Sequence, residues 1–163
     1  MRNQLMRTQV DIAEIIERYS DMVYKIALSY TGNKTVAEDI LQDVFIKYMT
    51  ASTEFQGEEH RKAWMIRVTM NEAKKHFRSC WNKRKIPLED IYSFEDQEKH
   101  EIFYAVMELP IQYRSIIHLY YYEELSVKEI SRLTKMKENT VTSRLYRGRK
   151  LLKEILEVEY EFG

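Results

Sequence analysis

A single cysteine, Cys80, leaves no partner for an internal disulfide, and no second cysteine or histidine-rich group supplies metal-ligand spacing. A disulfide scaffold and a structural zinc module are thereby excluded, and a reducing cytoplasm fits best. Proline and glycine are scarce, two and four in 163 residues, which rules out collagen-like and low-complexity chains and favours helix. No apolar run approaches the roughly 18 residues of a membrane span, so direct membrane insertion is not expected. The opening stretch from Met1 to Ile16 has no continuous apolar segment followed by small residues, so no secretory signal is expected either. Net charge is absent too: 26 basic and 26 acidic residues cancel, and total charge identifies no partner.

Enzymatic signatures are equally missing. The sequence holds no glycine-rich phosphate loop, no His-Glu-x-x-His and no nucleophile elbow. His60, His76, His100 and His118 are scattered, and together with Cys80 they read as surface or packing residues. No catalytic residue, metal ligand or cofactor is expected, and no enzymatic activity.

What is present is a segregation of charge. From His60 to Lys85 nine basic residues face Glu72 alone, Glu89 to Glu101 is acidic, and Arg132 to Lys153 carries eight bases against Glu138. Two basic blocks in a neutral chain suggest two surfaces for polyanions joined by a solvated acidic linker; two solvated helix faces are the plainer alternative.

Apolar spacings of three and four give helices nearly everywhere. Ile12, Ile15, Ile16, Tyr19, Val23, Ile26, Ala27 and Tyr30 mark a first helix, stopped at Gly32. Thr35 and Glu38 form a capping-box pattern opening a second, with a stripe of Ala37, Ile40, Leu41, Val44, Phe45 and Tyr48. A third, from about residue 59 to 79, would bury Ala63, Trp64, Ile66, Met70, Ala73 and Phe77. Residues 82–97, with Pro87 and no sustained period, read as a linker. Helices over about 98–108 and 112–123 follow, then a short one capped by Ser126 and Glu129 that ends at Leu133. A turn near Lys135 leads to a last helix over about 138–158. The fold class is all-α: two small helical domains, residues 1–81 and 98–163, joined by a linker.

Three constellations could carry function. Glu38, Asp39, Gln42 and Asp43 form an acidic strip on the second helix, read as a solvated face or as a dock for a basic protein. On the third helix Arg67, Asn71, Lys74, Lys75 and Arg78 share a face, with Trp81 just beyond; bases beside aromatics suit single-stranded nucleic acid. Trp64 and Phe77 lie on the apolar stripe and read as core. The short helix, turn and longer basic helix at the end are helix-turn-helix grammar. There Val141, Leu145, Gly148, Leu152 and Ile155 form the buried side, and Lys137, Asn139, Thr140, Thr142, Ser143, Arg144 and Arg147 are the candidates for duplex DNA.

Taken in order, these features resemble the extracytoplasmic-function (ECF) class of bacterial sigma factors, within the sigma-70 superfamily. Three stretches carry the resemblance: Ala37 to Phe45, Ala63 to Asn71 with Arg78, and Glu108-Leu-Pro110 through Glu129-Ile130, Thr140-Val141 and Ser143 to Arg147. The resemblance implies a promoter-specificity subunit with a region 2-like and a region 4-like domain. Its partners would be core RNA polymerase and promoter DNA, with an anti-sigma factor as a further partner. The strip at Glu38, Asp39, Gln42 and Asp43 would dock on the β′ clamp helices, and the second domain would touch the β flap. Arg67, Asn71, Lys74, Lys75, Arg78 and Trp81, with the loop from Phe55 to Glu59, would hold the melted minus-10 strand; the last helix would read the minus-35 element.

The pattern departs from the family at three places. Lys135 stands where glycine is usual in the turn and Lys75 where aspartate is frequent. Lys137 replaces a capping serine, which leaves Asn139 or Thr140 to cap the last helix and shift its start. A stand-alone dimeric helix-turn-helix regulator is the alternative reading; it accounts for the last 60 or so residues but not for the acidic strip joined to a second basic helix.

Overall fold

The computed structural model describes residues 9–80 and 97–162, with the side chains of residues 12–76 and 102–157. Seven helices occur among them: α1 (Gln9–Thr31), α2 (Lys34–Thr50), α3 (Glu58–Cys80), α4 (Gln97–Glu108), α5 (Ile111–Tyr121), α6 (Val127–Thr134) and α7 (Glu138–Phe162). The chain divides into two compact units, Met1–Ile86 and Pro87–Gly163. Of the linker expected over 82–97, only Gln97 is described, and it opens α4.

In the first unit α1, α2 and α3 each pack on the other two. Val23, Ile26, Leu28, Ile40, Val44, Met65 and Ile66 are wholly buried between them. Gly32, at φ 63°, ends α1 and donates its N–H to the Leu28 carbonyl at 2.8 Å, a conformation a Cβ would oppose. Asn33 follows at once, and its side chain accepts the Val36 N–H at 3.0 Å. The cap is therefore Asn33, not the expected Thr35, which already lies in the first turn of α2. The turn after Gly32 is so short that Asn33 reaches the unpaired amides first.

Because α3 touches both α1 and α2, its buried arc is broad: Trp64, Met65, Ile66, Thr69, Met70, Glu72 and Ala73 all lie inside. Ala63, expected in the core, is exposed, since it sits four residues before Arg67 on the outer row. The Phe77 side chain is outside the described residues.

In the second unit α4, α6 and α7 all pack on α5, so Ser115, Ile116, Ile117, His118 and Leu119 are consecutively buried. Arg114 is nearly buried as well; its Nη1 donates to the Met107 carbonyl at 3.1 Å, satisfying the last turn of α4. Burial pulls its guanidinium down to about 10. His118 is a packing residue, its ring stacked on Tyr122 and its Nε2 3.3 Å from the Glu123 carboxylate.

Ser126 caps α6 as expected, its Oγ accepting the Glu129 N–H at 3.1 Å, while the Glu129 carboxylate accepts from the serine hydroxyl. Lys135 ends α6 in the left-handed region at φ 61°, where a residue with a Cβ costs on the order of 1 kcal/mol. The Ser131 hydroxyl, donating to the Met136 carbonyl at 2.6 Å, offsets part of that. α7 then starts at Glu138, with the Lys137 carbonyl accepting the Val141 N–H at 3.1 Å. Asn139 and Thr140 are already in its first turn, so neither moves the start.

Gly148 sets how closely α7 lies on α5: a Cβ there would stand 2.9 Å from Ile117 Cγ1 and 3.2 Å from Tyr113 Cβ. Gly148→Val is expected to overpack this contact and cost roughly 1–3 kcal/mol. A thermal melt followed by circular dichroism checks it; an unchanged midpoint would show that the two helices can part at no cost.

Candidate interfaces for nucleic acid and protein

Glu38, Asp39 and Gln42 are exposed on α2, and Asp43 is half-buried beside them. The same face carries Ile46 and Met49, 53% and 38% exposed, so the acidic strip has an apolar end that charge patterning did not reveal. Its apolar character was nonetheless readable, since Ile46 and Met49 fall off the stripe of Ala37, Ile40, Val44 and Tyr48.

Lys47 would place a positive charge near this face, but it turns toward α3 and pairs with Glu72. Glu72 is 6% exposed and also accepts from Lys75 at 3.3 Å. Burial alone would push its carboxyl up; hydrogen bonds and charge from the two lysines outweigh that and hold it below the usual carboxylate range. Asp43, Glu72 and His76 bring donor atoms within 4.8 Å of one another, the one such trio among the described residues. Two ammonium groups already compensate the Glu72 carboxylate there.

Arg67, Asn71 and Lys74 are exposed along one row of α3. Lys75 is exposed as well; four residues on from Asn71, it lies beside that row and also meets Glu72. Beside the row lies a shallow cleft of about 370 Å³ lined by Lys47, Val68, Asn71, Glu72, Lys74 and Lys75. Trp81 and the Arg78 side chain lie outside the described residues.

The α2–α3 loop closes over this end of the unit through aromatic contacts. Phe55 stacks on Tyr48 at 5.7 Å between ring centroids and meets Trp64 edge-on at 5.6 Å. The Arg61 guanidinium lies 5.4 Å from the Phe55 centroid, within cation–π range, and the Gln56 N–H donates to His60 Nδ1 at 3.1 Å. Trp64 is buried, as its place on the stripe implied.

In the second unit α6, the turn at Lys135 and α7 form the helix-turn-helix. Val141, Leu145 and Gly148 are buried, while Leu152 and Ile155 are only half-buried. Lys137, Asn139, Thr142, Ser143 and Arg147 are exposed, and Thr140 and Arg144 half-buried. The Thr142 hydroxyl donates to the Glu138 carbonyl at 3.0 Å, which commits its proton to the helix. Tyr146, 66% exposed among these residues, was missed; its place off the stripe of Val141, Leu145 and Gly148 is the signal that would have found it.

Comparisons with known proteins follow the same division. The model of Sigma-70 region 2 matches residues 15–83, and that of Sigma-70, region 4 matches residues 99–152. The ECF RNA polymerase sigma factor SigM of Bacillus subtilis is 32% identical over 158 residues, covering 88% of this chain and 94% of SigM. RNA polymerase sigma factor SigV of the same organism is 29% identical over 154 residues, covering 90% and 91%. Among solved structures, the sigma factor RpoE bound to the anti-sigma factor NepR, from Bartonella quintana, has a similar fold. Its TM-score is 0.67 at 22% identity, over 91% of this chain and 98% of that one. CnrH, solved with the cytosolic domain of CnrY, gives 0.64 at 17% identity, over 96% and 94%.

The depressed Glu72 carboxyl links stability to pH. Its contribution is full above the unfolded value near pH 4 and disappears as the pH falls through the lower folded value. The urea midpoint of the wild type is expected to drop between pH 5 and pH 3 by more than that of Glu72→Gln, and parallel curves would count against the pair.

Proposed function

The chain belongs to the extracytoplasmic-function class of the sigma-70 family, the promoter-specificity subunits of RNA polymerase, and on that premise we propose which of its residues meet each partner. One observation carries the reading: the region 2 and region 4 matches fall one on each compact unit, and each unit exposes the charged face its role requires. The exposed part of the α2 strip, Glu38, Asp39 and Gln42, with Asp43, docks on the clamp helices of the polymerase β′ subunit. Ile46 and Met49 lie alongside.

Arg67, Asn71 and Lys74 hold the non-template minus-10 strand once it is unpaired, with Lys75 at the edge of the same cleft and Arg78 and Trp81 further along the chain. Capturing unpaired bases and phosphates more strongly than the duplex is held favours melting without nucleotide hydrolysis. α7 enters the major groove at the minus-35 element through Lys137, Asn139, Thr140, Thr142, Ser143, Arg144 and Arg147. The second unit also meets the β flap. The protein supplies specificity rather than catalysis and acts in the cytoplasm; no described helix is long and apolar enough to cross a membrane. An anti-sigma factor is a further partner, as NepR is for RpoE.

A stand-alone dimeric regulator would need only the second unit. The region 2 match over residues 15–83 leaves that alternative unsupported.

Asp39→Lys with Asp43→Lys is expected to abolish co-elution with core polymerase while the helical circular dichroism signal persists. Retained co-elution would remove the strip from the interface. Arg144→Ala and Arg147→Ala are each expected to weaken run-off transcription from minus-35-dependent promoters, by about 1–3 kcal/mol for every base that the truncated side chain no longer reads. Transcription by the wild-type holoenzyme on a promoter library tests the function as a whole, and no start sites beyond those of core enzyme alone would overturn it.

A further inference from the structure

Glu58, in the first turn of α3 and within the segment from Phe55 to Glu59, has three side-chain partners, and neither the acidic strip nor the basic row includes it. The Tyr19 hydroxyl donates to its Oε2 at 2.5 Å, Arg18 Nη1 pairs with the same oxygen at 2.9 Å, and Arg61 pairs with its Oε1. Arg18 and Tyr19 belong to α1, far back in the chain. Arg61 is the residue whose guanidinium lies over the Phe55 ring.

The carboxylate thus joins two structures that the backbone does not. On one side is α1, anchored in the core by Val23 and Ile26. On the other is the α2–α3 loop, where the Phe55 ring contacts Tyr48, Trp64, His60 and Arg61. Gly57, at φ 137°, gives the loop a conformation that L residues rarely adopt, with nothing within 4 Å of where its Cβ would be. The Gly57 carbonyl accepts the Arg61 N–H at 3.1 Å, and side chains on either side add to that hold. Arg61 Nε is buried and has no hydrogen-bond partner among the described residues, and the guanidinium is held by Glu58 together with the Tyr48 hydroxyl. Tyr19 donation, with Arg18 and Arg61 against burial, keeps the Glu58 carboxyl below its ordinary value and therefore ionised.

We propose that Glu58 is a positioning residue for strand capture: it orients Arg61 across Phe55 and ties the α2–α3 loop to α1, so that the loop is already shaped to receive an unpaired base. It acts through Arg61 and Phe55 and does not touch DNA. The proposal rests on the reading of the first unit as the holder of the melted minus-10 strand.

The test uses holoenzyme carrying Glu58→Ala or the isosteric Glu58→Gln on a promoter with 2-aminopurine in the minus-10 element. Opening is read by fluorescence, together with affinity for core enzyme and for a pre-melted bubble template. Glu58→Ala is expected to slow opening about tenfold and to flatten the preference among bases at the captured position, with core affinity unchanged. Glu58→Gln, which keeps the acceptor for Tyr19 but weakens the hold on Arg61, is expected to fall between. A merely structural role would lower core affinity and opening together and leave base preference intact; that result, or wild-type opening by both variants, overturns the proposal. Arg67→Ala with Asn71→Ala separates it from the underlying reading. If that double variant impairs bubble binding and the Glu58 variants open normally, only the role of Glu58 fails. If the double variant binds the bubble like wild type, the reading of the first unit fails with it.

Discussion

One buried carboxylate organises the charge of the first unit. A helix as rich in bases as α3 repels itself, and Glu72, the single acid between His60 and Lys85, lies on its inner side, accepting from Lys75 of its own helix and Lys47 of α2. The pair with Lys47 has a second consequence. It draws toward α3 the one basic residue of α2 beyond its first position, Lys34, and leaves the outer face to Glu38, Asp39, Gln42 and Asp43. Because the lysines remain partly hydrated while Glu72 is buried, the arrangement avoids the larger cost of placing a complete ion pair out of water.

In the second unit the governing constraint is close approach. Gly148 lets α7 lie against Ile117 and Tyr113 of α5, and the consecutive burial of Ser115 to Leu119 shows α5 surrounded by its neighbours. That contact consumes one side of α7 and fixes which side remains for a ligand. Lys135 in a left-handed conformation is tolerated because the turn is also held by the Ser131 hydroxyl on the Met136 carbonyl. Helix entry at Glu138 follows, so Ser143 and Arg147, one turn apart, sit on the exposed side, and Arg144 is partly covered.

Much of this was legible in the amino-acid order because it is local. Apolar spacing and cap patterns located the helices among the described residues, and the ends set by Gly32 and Ser126 depend on backbone groups a few residues away. Where local rules competed, the nearer group won: Asn33 displaced Thr35 as a cap. Ala63 was misplaced for a related reason, because which residues of α3 its two neighbours cover is decided by contacts in three dimensions. The exposed Ile46, Met49 and Tyr146 could have been found by asking which large side chains fall off each stripe. The Glu58 hub could not, since Tyr19 and Glu58 are 39 residues apart and nothing in either neighbourhood signals the other.

Recognition by weak contacts places a particular demand on the α2–α3 loop. Two modest DNA interfaces on one chain gain strength when polymerase fixes the promoter elements at a set spacing, because the second contact then forms at high effective concentration. That gain is reduced by whatever freedom must be frozen at each site on binding, about 0.5–1.5 kcal/mol for every mobile side chain that is immobilised. An exposed loop of independent aromatics would forfeit much of it. Here Phe55 is already packed against Tyr48 and Trp64 and covered by Arg61, so most of its ordering cost has been met during folding. On the proposed reading, affinity for an unpaired strand then arises without a large entropic offset, and melting needs no energy source beyond binding itself.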